Sequence, residues 1–148
     1  MSSVSTFESR TAKVDFSPEE VYNFATDIRN FRRFLPPESF SDPEFRHDSC
    51  SFRVNMLGTV NIQISERAMF DKIIFSGNAL RDNNFSLTIN LHETEKKHSE
   101  IKLTLSAEMN PVLKMVATEP VNKFLETLVT EMEKFRGWND ITEQSRPL

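Results

Sequence analysis

Near the end of the chain, apolar residues recur three and four positions apart. Val121, Phe124, Leu125, Leu128, Met132 and Phe135 share one face of a helix predicted from Pro111 to Arg136. Glu126, Thr127, Thr130, Glu131, Glu133 and Lys134 take the opposite face. Asn110 is its predicted cap, Pro111 fits its first turn, and Gly137 is its stop. Pro120 lacks an N–H and clashes with the preceding turn, so a kink or restart is expected there.

The chain before this helix alternates with period two. Phe7 to Phe16 reads as a first strand, with Arg10, Ala12, Val14 and Phe16 on one face. Ser17-Pro18-Glu19-Glu20 is a helix start with a capping box, followed by Val21, Phe24, Ala25 and Ile28. Asp27 caps a second short helix carrying Phe31, Phe34 and Leu35, which Pro36-Pro37 ends. Ser39 to Asp48 is irregular, with a short edge strand around Phe45. Phe52, Val54 and Met56 then alternate with polar residues, and Gly58 turns the chain. Val60, Ile62 and Ile64 form the next dry face. A strand over Lys72 to Ser76 follows, then a turn cluster ending in Asp82-Asn83-Asn84. Phe85, Leu87, Ile89 and Leu91 lie on one dry face, and Ile101, Leu103, Leu105, Ala107 and Met109 on another. Clean alternation means one dry and one wet face per strand. The prediction is α+β: a curved antiparallel sheet of about seven strands around the long helix, with two short helices after strand one. Residues 1–148 read as one domain, with 138–148 a loose tail unless Trp138 and Ile141 pack back.

Composition narrows the function. A net charge of −4 argues against nucleic acid, whose phosphates need a basic face. The chain has one cysteine, Cys50, so no internal disulfide is available. No apolar run reaches spanning length and the start lacks a signal-peptide pattern, so the expected location is cytoplasmic. Thirteen phenylalanines stand against one tyrosine and one tryptophan. Phe offers apolar volume without a polar handle, which suits a filled core or an apolar lining.

Phe7-Glu8-Ser9-Arg10, leading into Val14-Asp15-Phe16-Ser17-Pro18-Glu19-Glu20-Val21-Tyr22-Asn23-Phe24, resembles the opening of START-like helix-grip (SRPBCC) proteins. These include the polyketide cyclase/dehydrase and lipid transport type and a group related to a component of carbon monoxide dehydrogenase. The element order matches over nearly the whole chain. The resemblance implies a seven-stranded sheet gripping the last helix, a ligand cavity between them in many members, and no universal catalytic residue.

Other chemistry reads weakly. His92, Glu93, Glu95 and His98 do not form a His-Glu-x-x-His motif and suit a solvated charged hairpin, so no metal is expected. His47 reads as a surface residue, and Cys50 as a small structural residue in a sheet. Arg29, Arg32 and Arg33 form a basic helix face. The remaining candidate is an apolar cavity. From the sheet its predicted lining is Phe52, Val54, Ile62, Ile64, Phe75, Leu87, Ile89, Leu103 and Leu105. Around Pro120 it is Met109, Leu113, Met115, Val116 and Phe124. Arg10, Tyr22 and Asn110 are placed as orienting groups at its mouth. The same residues equally suit a filled core. The leading expectation is therefore non-catalytic binding or transport of a small hydrophobic or amphipathic molecule, such as a lipid or aromatic metabolite, with no cofactor. One alternative is a cyclase or dehydrase, with Arg10, Tyr22 and His92 as its candidate groups. Another is an interaction module, homodimeric in the simplest case, with a filled core and an exposed patch of Phe31, Phe34, Leu35 and Trp138.

Overall fold

The computed structural model of the chain describes residues 3–35, 40–46, 48–54, 56–79 and 83–138. The Pro36-Pro37 stop, His47, Asp82 and Ile141 lie outside the described residues. The strands are β1 (Ser3–Glu8), β2 (Ala12–Val14), β3 (Phe40–Phe45), β4 (Ser49–Val54), β5 (Gly58–Ala68), β6 (Lys72–Ala79), β7 (Asn83–Glu95) and β8 (His98–Met109). They form one antiparallel sheet in the order β1-β8-β7-β6-β5-β4-β3, with β2 also paired to β8. The helices are α1 (Pro18–Ala25), a 3-10 helix over Ile28–Phe34, and α2 (Pro111–Lys134). This is the expected α+β helix-grip architecture.

The first strand is broken where one was predicted, and the break changes which residues face inward. Ser9 N–H donates to Leu103 O at 2.9 Å, while Ser9 Oγ accepts from Leu103 N–H at 2.9 Å. A side chain thus takes one rung of the ladder. Buried positions shift from odd (Ser5, Phe7, Ser9) to even (Ala12, Val14) across this bulge. Arg10, expected on the inner face, is therefore exposed. Its guanidinium reaches Glu126 at 3.1 Å and Glu133 at 2.9 Å on the outer face of α2. The Lys13 N–H donates to the same Glu133 at 3.0 Å. That bond and the Arg10 pair hold the Glu133 carboxyl below the usual range.

α1 starts as predicted. Ser17 Oγ accepts from Glu20 N–H at 3.2 Å, and Glu20 Oε1 accepts from Ser17 N–H at 3.0 Å. Asn110 caps α2 by accepting from Leu113 N–H at 2.8 Å. α2 does not restart at Pro120 but runs helical through it. It ends at Lys134, two residues short of the prediction, because Phe135 turns extended.

α2 buries only half its length. Val121, Phe124, Leu125, Leu128, Val129 and Met132 are buried, whereas Ala117 is the one buried residue before Val121. At about 1.5–3 kcal/mol per buried side chain, those six contribute gross stabilisation on the order of 10 kcal/mol. The phenylalanines mainly fill the core. Phe31, Phe40, Phe52, Phe75 and Phe124 pack ring to ring beneath the sheet. A second group joins Phe24, Phe34 and Phe135 to Trp138. Trp138 is 1% exposed, so the chain is anchored at that point, where a loose tail was expected to begin. The same packing buries Phe31, Phe34 and Leu35, so the exposed patch expected for an interaction module does not exist.

Candidate functional site

The first turns of α2 have little beneath them. Val112, Met115 and Val116 are 73%, 80% and 62% exposed. Met56, expected as the last inward residue of its strand, instead sits in the β4–β5 turn at φ 74° and is 75% exposed. A left-handed turn residue cannot continue the strand's alternation, which is why it faces solvent. Val4 also lies at this end, since it pairs with Glu108 just before α2 begins, and it is exposed.

Between this half of α2 and strands β3 and β4 lies a groove of about 330 Å³. Its apolar walls are Phe40, Val54, Met56, Met115, Val116 and Phe124, with Pro120 between the last two. Glu119, Lys123 and Thr127 supply the polar groups. Glu119 and Lys123 are one helical turn apart and both exposed. Behind Phe124 is a void of about 30 Å³, bounded by Leu57, Val60, Leu105, Met109 and Val121 among others. Phe124 borders both spaces. It stacks near parallel on Phe52 at 6.2 Å and meets Phe40 edge-on at 6.0 Å.

The predicted lining residues divide accordingly. Val54, Met115, Val116 and Phe124 come together in the groove. Leu105, Met109 and Phe124 border the small void. Phe52, Ile62, Phe75, Leu87, Ile89 and Leu103 are at most 2% exposed, in close-packed core. Ile64 and Leu113 are half-buried. Tyr22 packs edge-on to Phe70 at 5.4 Å in the β5–β6 turn, away from the groove, and Arg10 lies on the outer surface. Sequence reasoning did not single out Phe40, Met56, Glu119, Lys123 or Thr127 as lining. For two of them a signal existed: Val116, Pro120, Lys123 and Thr127 recur at helical spacing on one face. Phe40 lies in a stretch without periodicity.

The other candidates are placed as follows. Burial pushes the Cys50 thiol from an ordinary 9.0 up to about 12, so it is not a ready nucleophile. His92, Glu93 and Glu95 are exposed along the β7–β8 hairpin, and His98 pairs with Asp15 at 3.1 Å. Among the described residues no group of three or more His, Cys, Asp or Glu is placed to hold a metal ion. Arg29 pairs with Asp27 at 2.7 Å, and Arg32 lies 4.7 Å over the Phe45 ring. No helix among the described residues is long and apolar enough to cross a membrane.

No protein-family model matches the chain, and no curated protein sequence does. Solved structures do match. Norcoclaurine synthase from Thalictrum flavum, in complex with dopamine and hydroxybenzaldehyde, superposes with a TM-score of 0.69 at 11% identity, covering 91% of this chain and 90% of that one. A START superfamily protein from Mycobacterium smegmatis gives 0.64 at 13%, covering 86% and 94%. An HSP90 activator from Plasmodium falciparum gives 0.60 at 18%, covering 86% and 93%. At such identities the likeness is one of fold.

Proposed function

Because the chain has the START-like helix-grip fold, we propose that it binds a small hydrophobic or amphipathic molecule in the groove between α2 and strands β3 and β4. The supporting observation is the groove itself. Six apolar side chains wall a space of about 330 Å³ that opens onto exposed methionine and valine. That volume is at the lower end of the range for ligand pockets, about 300–1,000 Å³. Methionine adapts its shape to irregular guests, which suits Met56 and Met115 at the entrance. The neighbour holding dopamine and hydroxybenzaldehyde carries small aromatic molecules on the same fold. This reading sets the chain in the cytoplasm as a carrier or sensor.

Turnover is the competing function, since that neighbour is a synthase. Among the residues lining the groove, Glu119 and Lys123 are the ones that could transfer a proton. A second copy of the chain is the competing occupant of the apolar end.

Native mass spectrometry of the purified protein, followed by organic extraction, tests the proposal. A co-purifying apolar molecule is expected, and it is lost in Met115→Asp and Val116→Asp variants that melt like the wild type. Both side chains are exposed, so the charge is tolerated in the fold. Wild-type protein that carries nothing and binds neither decanoic acid nor anilinonaphthalene sulfonate would overturn it. A dimer mass lost in the same variants would replace the ligand by a second copy. Conversion of the extracted molecule, abolished by Glu119→Gln or Lys123→Met, would make the site catalytic.

A further inference from the structure

The larger concavity of the molecule is on the other side of the sheet. It is a trough of about 640 Å³ running over the outer face from β4 to β1. Along that path lie five inter-strand steps, about 24 Å at the usual spacing. The main polar groups are the carboxamides of Asn61, Gln63, Asn78 and Asn84 and the hydroxyls of Ser76 and Ser106. Glu108 is the only charged residue lining it among the described residues. The rest of the outer face is different. Toward the far ends of the same strands stand Glu66, Lys72 and Glu100, and Lys102 pairs with Glu8 at 3.3 Å. Uncharged Thr88, Asn90 and Thr104 lie between those charges and the trough, and Arg53 stands beside it on β4, paired with Thr59.

Part of the hydrogen-bonding capacity in the trough is spent within the sheet, since Ser106 Oγ lies 3.4 Å from Thr6 Oγ1. Asn61 Nδ2 donates to Asn78 Oδ1 at 2.9 Å, which leaves one amide oxygen and one amide nitrogen of that pair free to turn outward. Gln63 and Asn84 make no side-chain hydrogen bond among the described residues. Residues two apart on a strand are about 6.8 Å apart, and neighbouring strands about 4.8 Å, so the amides form a regular grid of donors and acceptors.

We propose that this trough is a second binding site, for an uncharged, hydroxyl-rich ligand: a carbohydrate several rings long. A polyol presents donors and acceptors in every direction, as amides and hydroxyls do, and both can be matched directly or through water. Phosphate- or sulfate-bearing ligands find no cation among the residues lining it, and Glu108 repels them. Val4, Ile62, Phe85 and Ala107 also line the trough, between these polar groups.

The test is a titration of ¹⁵N-labelled full-length protein, read at the side-chain amide signals of Asn61, Gln63, Asn78 and Asn84. The probes are maltotetraose, cellotetraose, xylotetraose and chitotetraose, with a heparin tetrasaccharide as the anionic control. At least one neutral probe is expected to shift these signals while leaving Met115 unmoved. The Asn61→Ala/Asn78→Ala variant, whose fold is checked by melting, is expected to weaken that probe about tenfold, as loss of two hydrogen-bonding side chains should. The proposal is overturned if no neutral probe shifts the signals, if only the heparin fragment does, or if the double variant binds as well as wild type.

Discussion

Phe124 separates the groove from the void, so Phe124→Ala tests how the grip is built. The ring is 4% exposed and contacts Phe40 and Phe52. Burial of a phenylalanine side chain is worth about 1.5–3 kcal/mol, most of which the substitution forfeits. Removing the ring empties roughly 100 Å³, and at about 24 cal/mol per Å³ a rigid, dry cavity would add about 2.4 kcal/mol. The emptied space joins the groove and admits water, so less than the full cavity cost applies. The expected loss is about 3 kcal/mol, at the lower end of the usual range for Phe→Ala. For a chain of this size that lowers the melting temperature by about 6–12 °C. Urea unfolding followed by far-UV circular dichroism should show a lower midpoint with unchanged slope. A loss below about 1 kcal/mol would refute the reasoning, because it would place the ring in solvent. The merged cavity should also admit a longer guest: chain-length preference in a fatty-acid binding series should move upward in the variant.

Three further outcomes follow from the packing. Trp138→Ala should cost about 3–5 kcal/mol, as large buried aromatic truncations do, and a melting temperature equal to wild type would mean that the residue is not part of the core. A Cβ at Gly77 would lie 2.1 Å from the Asn61 carbonyl oxygen and 2.9 Å from the Ile62 side chain and the Phe85 ring. Gly77→Ala should therefore destabilise by about 1–3 kcal/mol in urea, and an unchanged midpoint would show that the strands part there without strain. Cys50 keeps its proton in the fold up to about pH 12, but the unfolded chain releases it near 9.0. The folded state then binds the extra proton, so stability falls as pH rises through that window. Comparing wild type with Cys50→Ala should isolate this slope, and native wild type should resist a thiol-specific disulfide reagent at pH 8 until unfolded.

Periodicity made the architecture legible. Strands such as β7 and β8 alternate without interruption, and the second half of α2 keeps its apolar face in register, so which residues are inside could be read directly. The capping chemistry of Ser17 and Asn110 was equally explicit. Sequence reading failed where one residue changes parity. A hydrogen bond made by the Ser9 side chain shifts the phase of the first strand, and nothing in a hydrophobic pattern encodes a bulge. Met56 was lost to a left-handed turn for the same reason. At Pro120 the restart does not occur: the helix runs through it into the packed half that begins at Val121. In the groove, Val116 and Phe124 were accessible from helical spacing. Phe40 was not, because only the pairing of β3 with β4 brings it across.

The irregularities at the two margins of the sheet have a consequence for the protein in concentrated solution. An outermost strand presents unpaired amides and carbonyls that another chain can extend. β3, at one margin, carries Pro43, which has no N–H to offer, and its register slips between Ser41 and Glu44. At the other margin the ladder is interrupted between Glu8 and Ala12. Neither side offers a long straight template, so strand-by-strand growth into fibrils is blocked at both borders by the features that made those strands hard to read.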